Sequence, residues 1–201
     1  MLIAQKSYGQ EKSKSISTYK EDLSHSLSIG YFGEQLFHYG FSVHYNMPLV
    51  RRTKNKEKPH LLNSSKTKIK DKTQELAWNQ MFFTFVHRNN QWYKGLNSYL
   101  EYSTSKNNGF TRALGIGIGV GRSTLLNPTY RIQDGTLKRI SGAGQIHFII
   151  PLIIENGYNF QPIFNIPIQL YMRANIFHLL PYNSGILPML AFELGTKFKL
   201  N

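Results

Sequence analysis

The sequence predicts an all-β fold, an antiparallel transmembrane β-barrel of eight strands. Three observations predict it. Met189 to Leu200 alternates, with Leu190, Phe192, Leu194, Phe198 and Leu200 on one side and Ala191, Glu193, Gly195, Lys197 and Lys199 on the other. Strand side chains switch faces at every residue, so this is a strand with one apolar and one polar face. The same pattern recurs in short stretches separated by turn residues, which is how a membrane-spanning barrel reads in sequence. Finally, no segment approaches the roughly 18–20 consecutive apolar residues of a membrane-spanning helix.

A chain of 201 residues makes one domain, here a barrel over 26–201 behind a polar, Ser/Lys-rich lead-in at 1–25 that is expected to be flexible. Met1-Leu-Ile-Ala-Gln5 resembles the end of a signal peptide but lacks a basic start and a long apolar core. There is no cysteine, which excludes disulfides, thiolate zinc sites and a cysteine nucleophile. Aromatic residues make up 13% of the chain, which suits both strands and interfacial girdles.

The strands follow in order. Ser26–Gln35 sets Leu27, Ile29 and Tyr31 against Ser28, Gly30 and Glu34. After a turn at Phe37–Gly40, the residues Phe41, Val43, Tyr45, Met47 and Leu49 oppose Ser42, His44 and Asn46. A basic loop then runs to Gln74. Leu76–Arg88 is aromatic on both sides, and its facing stays open. Trp92–Thr104 alternates again, with Gly95, Asn97, Tyr99 and Glu101 on the polar face, and Asn107-Asn-Gly109 turns the chain. Phe110–Ile132 and Thr136–Glu155 form two long strands around a hairpin at Asp134-Gly135. A turn at Asn156–Pro162, strands at Ile163–Leu179 and Ile186–Leu200, and a turn at Pro181–Gly185 complete the set. An even number of strands returns both ends to one side, so with periplasmic termini the basic loop also faces the periplasm.

The net charge of +13 is concentrated between Arg51 and Lys72. No helix-turn-helix, zinc spacing or aromatic RNA-binding pattern accompanies it, so nucleic acid is not an expected partner. The run reads as a solvated loop able to touch anionic head groups. Leu114-Gly-Ile-Gly-Ile-Gly-Val-Gly121 is no phosphate loop, because Arg122-Ser123-Thr124 does not complete that motif. Its glycines recur at every second residue and are expected to face a crowded lumen.

The inward polar faces carry Glu101, His147, Glu155, Gln169, Tyr171, Arg173, Asn175, Glu193 and Lys197. Within them Glu101, Arg173, Glu193 and Lys197 form the expected lumen cluster. Arg173 would pair with Glu193, and Lys197 with Glu101 or Glu193, since unpaired buried charges are costly. Side chains fill a barrel of eight strands, so a plugged lumen is expected.

Catalytic signals are sparse. The seven histidines show no metal-ligand spacing, and no metal or cofactor is expected. The best catalytic set joins His178, Ser184 and Glu193 across the last hairpin, a combination able to cleave lipid esters as lipid A deacylases do. Against it, His178 shares lipid-side parity with Leu170, Met172 and Ile176, and the deacylases' His-x-Ser-Asn pattern is absent.

Gly30-Tyr-Phe-Gly-Glu34, His38-x-Gly40-Phe, Tyr45-Asn-Met-Pro-Leu49, Phe85-Val-His-Arg88, Gly119-Val-Gly-Arg122-Ser, the Thr129–Gly142 hairpin, Pro181-Tyr-Asn and Glu193-Leu-Gly occur in this order. Together they resemble small outer-membrane barrels of Bacteroidota over residues 27–200. The resemblance implies location and architecture and carries over no functional residue. The expectation is a structural or partner-binding barrel in contact with outer-membrane lipid, a subunit of a larger outer-membrane complex. The alternatives are a lipid hydrolase and a soluble lipocalin-like carrier with its apolar face turned inward.

Overall fold

The computed structural model describes residues 23–34, 38–59, 67–87, 90–140, 142–182 and 185–200, with side chains at all of these except 54–59 and 67–71. The expected lead-in falls almost entirely outside them, as does the signal-like 1–5 segment. Strands β1 (Ser26–Glu34), β2 (Gly40–Pro59), β3 (Thr67–His87), β4 (Gln91–Lys106) and β5 (Phe110–Leu125) are followed by the short pair β6 (Thr129–Gln133) and β7 (Thr136–Ile140). Then come β8 (Gly144–Asn159), a single-turn helix α1 (Gln161–Phe164), β9 (Ile168–Tyr182) and β10 (Gly185–Lys199). Eight strands close antiparallel in the order β1-β10-β9-β8-β5-β4-β3-β2, and β6-β7 forms a separate ribbon. The ring closes where Ser26 pairs with Lys199 and Tyr31 with Leu194. No described helix is long and apolar enough to cross a membrane; the strands are the elements that can.

The pleat sorts the side chains. Leu96, Ile116, Ile118, Ile154, Met172 and Leu194 are exposed on the outer wall, whereas Ser42, Asn97, Glu101, Glu155, Arg173 and Glu193 are buried inside. An exterior this apolar around an interior that holds buried charges belongs in lipid. A lipocalin reverses this facing, so the soluble-carrier alternative is overturned.

Several expected boundaries are corrected. The strand drawn through Phe110–Ile132 breaks after Leu125, because Pro128 has no N–H to continue a ladder. The strand drawn from Thr136 breaks near Gly142, whose φ is +67°. No turn begins at Asn156. β8 runs on to Asn159, and α1 with Pro162 in its first turn replaces the start of the strand placed at Ile163. The basic loop is instead a ribbon, in which Arg51 pairs with Glu75 and Lys54 with Lys72 along the continuation of β2 and β3. The open facing of Leu76–Arg88 resolves with Trp78 and Phe82 outside and Met81, Phe83 and Phe85 inside.

The first and last described stretches of the chain, at His25 and Leu200, the β2–β3 ribbon, the β4–β5 turn and α1 lie at one end, the terminal rim; the β6–β7 ribbon lies at the other. Between the rims the lumen has three levels. Nearest the terminal rim is a polar vestibule of about 520 Å³, lined among others by Ser26, Asn46, Glu75, Ser103, Thr111 and Lys199. The middle level is ionic. The level toward the opposite rim is an apolar plug of Phe32, Met81, Phe83, Phe85, Tyr93, Ile149, Phe177 and Leu179. Phe83 is at its centre, with ring centroids 5.1 Å from Phe177, 5.2 Å from Phe32 and 6.3 Å from Tyr93.

The glycine row of β5 makes room for this filling. A Cβ on Gly121 would stand 2.8 Å from Tyr93 Cε1 and 2.9 Å from Ile149 Cδ1, and one on Gly115 would stand 3.1 Å from Tyr99 Cδ2.

Candidate functional site

The ionic level is organised by Arg173, which projects inward from the middle of β9 and is 1% exposed. Its Nε donates to Glu155 Oε2 at 3.1 Å, and Nη2 donates to the same oxygen. Nη2 also reaches Glu101 Oε2 at 3.5 Å, while Nη1 donates to the Tyr99 hydroxyl at 3.1 Å and stands 3.7 Å from Glu193 Oε2. Its guanidinium carbon lies 4.9 Å from the Tyr171 ring centroid, a cation–π approach. A planar fork with five donors is the side chain best suited to hold several acceptors at once.

Glu193 on β10 is held independently. Its Oε1 accepts from Ser42 Oγ at 2.7 Å, from His44 Nε2 at 2.7 Å and from the Tyr171 hydroxyl at 2.6 Å. With the imidazole proton on Nε2, His44 Nδ1 is free to accept from Arg173 Nη1 at 2.9 Å, so one tautomer satisfies both contacts. Lys197 lies one level nearer the vestibule, 3.5 Å from Glu155 Oε1 and 3.7 Å from Glu101 Oε1.

The lumen therefore brings Glu101, Arg173, Glu193 and Lys197 together, with Arg173 facing Glu193 and Lys197 facing Glu101. It adds five residues to the expected cluster: Glu155 and Tyr171, which the sequence places on inward faces, and Ser42, His44 and Tyr99. Ser42 and His44 stood on the polar face of their strand, but nothing local showed that His44 meets Arg173 at a separation of 129 residues.

The candidate catalytic set does not assemble. Glu193 is inside the lumen, whereas the His178 ring is on the outer side and donates from Nδ1 to the Ile150 carbonyl at 3.2 Å. The strand wall separates them, as their opposite parity requires, and Ser184 lies outside the described residues.

A second cluster sits at the rim opposite the termini. Glu34 ends β1, His87 ends β3, and His38, two residues before β2, bridges to Glu34. Their ligating atoms all lie within 4.8 Å of one another. This corrects the reading that the histidines form no ligand cluster: spacing along the chain hides residues that adjacent strand ends bring together. No other such group of three occurs among the described residues.

No protein-family model matches the chain, and no curated protein matches it in sequence. Among solved structures it is similar to Neisserial surface protein A, with a TM-score of 0.46 at 10% identity over 89% of this chain and 96% of that one. For Ail, the attachment invasion locus protein of Yersinia pestis, the values are 0.44 and 13% over 89% and 99%. For the outer membrane enzyme PagL they are 0.41 and 12% over 88% and 99%. No residue's role passes from them at these identities. The closed antiparallel ring of eight strands, apolar outside and polar inside, is the architecture of a small outer-membrane β-barrel.

Proposed function

We propose that this chain is a non-conducting barrel of the Gram-negative outer membrane with a structural or partner-binding role, an accessory subunit beside a larger complex. The observation that carries this is the lumen, filled at two levels by the Arg173 network and by the Phe83 plug. A barrel closed to solutes acts through its lipid-facing wall and its rims.

The paired β2–β3 ribbon supports a binding role at the terminal rim. Strand pairing continues along β2 and β3 to Pro59 and Thr67, and the basic run in this part of the sequence favours an acidic partner surface or anionic head groups. Bacterial barrels with an even strand number keep their termini periplasmic, which would put this ribbon in the periplasm. The ordered motifs of the sequence support a place among Bacteroidota barrels.

A mild-detergent pull-down from native membranes tests the proposal. The expected result is recovery from the outer-membrane fraction with a stoichiometric larger partner, lost when residues 54–71 are replaced by a short Gly-Ser turn. Recovery of the chain alone, or from the soluble fraction, would overturn it.

A further inference from the structure

We infer that Glu34, His38 and His87 form a binding site for a zinc-class divalent metal ion at the rim opposite the termini. Two imidazoles and one carboxylate are a common three-ligand zinc set, with the fourth position left to water or an incoming donor. In tetrahedral geometry at normal zinc bond lengths the donor atoms stand about 3.4 Å apart. His38 Nδ1 and Glu34 Oε2 are 3.4 Å apart, and His87 Nδ1 is hydrogen-bonded to that same Oε2. The two rings face each other across the carboxylate with centroids 5.5 Å apart at 57°.

The backbone holds this arrangement from three directions. The His38 amide donates to the Glu34 carbonyl at 3.2 Å, and the Val86 amide, beside His87, donates to the Tyr39 carbonyl at 3.1 Å. Gly33 lets the His38 backbone approach, since a Cβ there would collide with the carbonyl of His38. The ligands are thus fixed by strand pairing and not by the chance meeting of long side chains.

One atom points specifically to a ligand. His38 Nδ1 is shielded from solvent and has no hydrogen-bond partner, although it faces the carboxylate. A buried nitrogen left this way is costly unless something completes it. A cation between His38, His87 and Glu34 does so, taking the place of the hydrogen bond between Glu34 and His87. The side chains keep 14–23% exposure, enough for an ion to enter from the rim. Imidazole donors favour zinc, cobalt, nickel or copper over calcium or magnesium. A bound ion would clip the end of β1 and the approach to β2 to the end of β3, beside the apolar plug, and present an open coordination position outward.

The test is a Co²⁺ titration of the full, untagged chain, stripped of metal and folded in detergent, with Zn²⁺ as competitor. The expected result is saturable uptake of one Co²⁺ per chain, visible as d–d absorption that Zn²⁺ displaces. His38→Ala and His87→Ala should each weaken it ~10-fold or more, as should Glu34→Gln, which keeps the side chain's shape. His178→Ala, on the outer wall, should leave it unchanged. Heat-modifiable migration on a gel identifies the variants that have folded, and any folded one of the three decides the matter. Absence of saturable binding, or binding unchanged in a folded ligand variant, overturns the inference.

Discussion

Two regions of one lumen are closed by opposite chemistries. Toward His87 the interior is aromatic and aliphatic, with Phe83 stacked among Phe32, Phe177 and Tyr93. Two pleats nearer the terminal rim, it is an ion network in which Arg173 alone reaches three carboxylates. The apolar plug fails gradually, because neighbouring rings can relax into lost volume. The ionic level fails abruptly, because removing one member strands charges that cannot leave. Specific closure at mid-height therefore rests on a few obligate contacts, and closure above it on many interchangeable ones.

Arg173→Met should break the comparison hardest. It leaves Glu193 buried without its arginine, and Glu101 and Glu155 with Lys197 as their one remaining cation, and should lower stability by about 3–5 kcal/mol. Urea unfolding in micelles, followed by tryptophan fluorescence, measures it. Combining it with Glu155→Gln should recover part of the loss; a double variant less stable than the single would contradict the network account. Phe83→Ala follows at about 3 kcal/mol, and conservative Phe83→Leu should cost less than half of that. Gly121→Val sharpens the packing side, since its Cβ stands within 3 Å of Tyr93 and Ile149, and should cost ~1–3 kcal/mol. Lys106→Ala, in the hydrated vestibule, should change stability by about 0.5 kcal/mol or less. A large effect there would mean that the ionic level extends to the rim.

The two levels were not equally legible in the sequence. The ionic one announced itself, because Glu101, Arg173 and Glu193 are charged residues each flanked on both sides by apolar ones, Leu100 and Tyr102, Met172 and Ala174, Phe192 and Leu194. The plug was hidden by its own composition. On β3 the inward Met81, Phe83 and Phe85 alternate with outward Phe82, so apolar residues on both faces erase the period that reveals facing. The heights at which strands meet were also out of reach, since His44 joins Arg173 only through the register of the whole ring. Glu34, His38 and His87 escaped for a related reason: they are ends of elements, gathered by closure and carrying no shared pattern along the chain.

A sealed lumen passes no ions, and conductance measures that directly. The purified chain, folded and inserted into a planar lipid bilayer in concentrated KCl, should add no steady current above the bare membrane. Reproducible ohmic steps from the wild-type chain would contradict the sealed lumen and with it the reading of a barrel that works through its wall and rims.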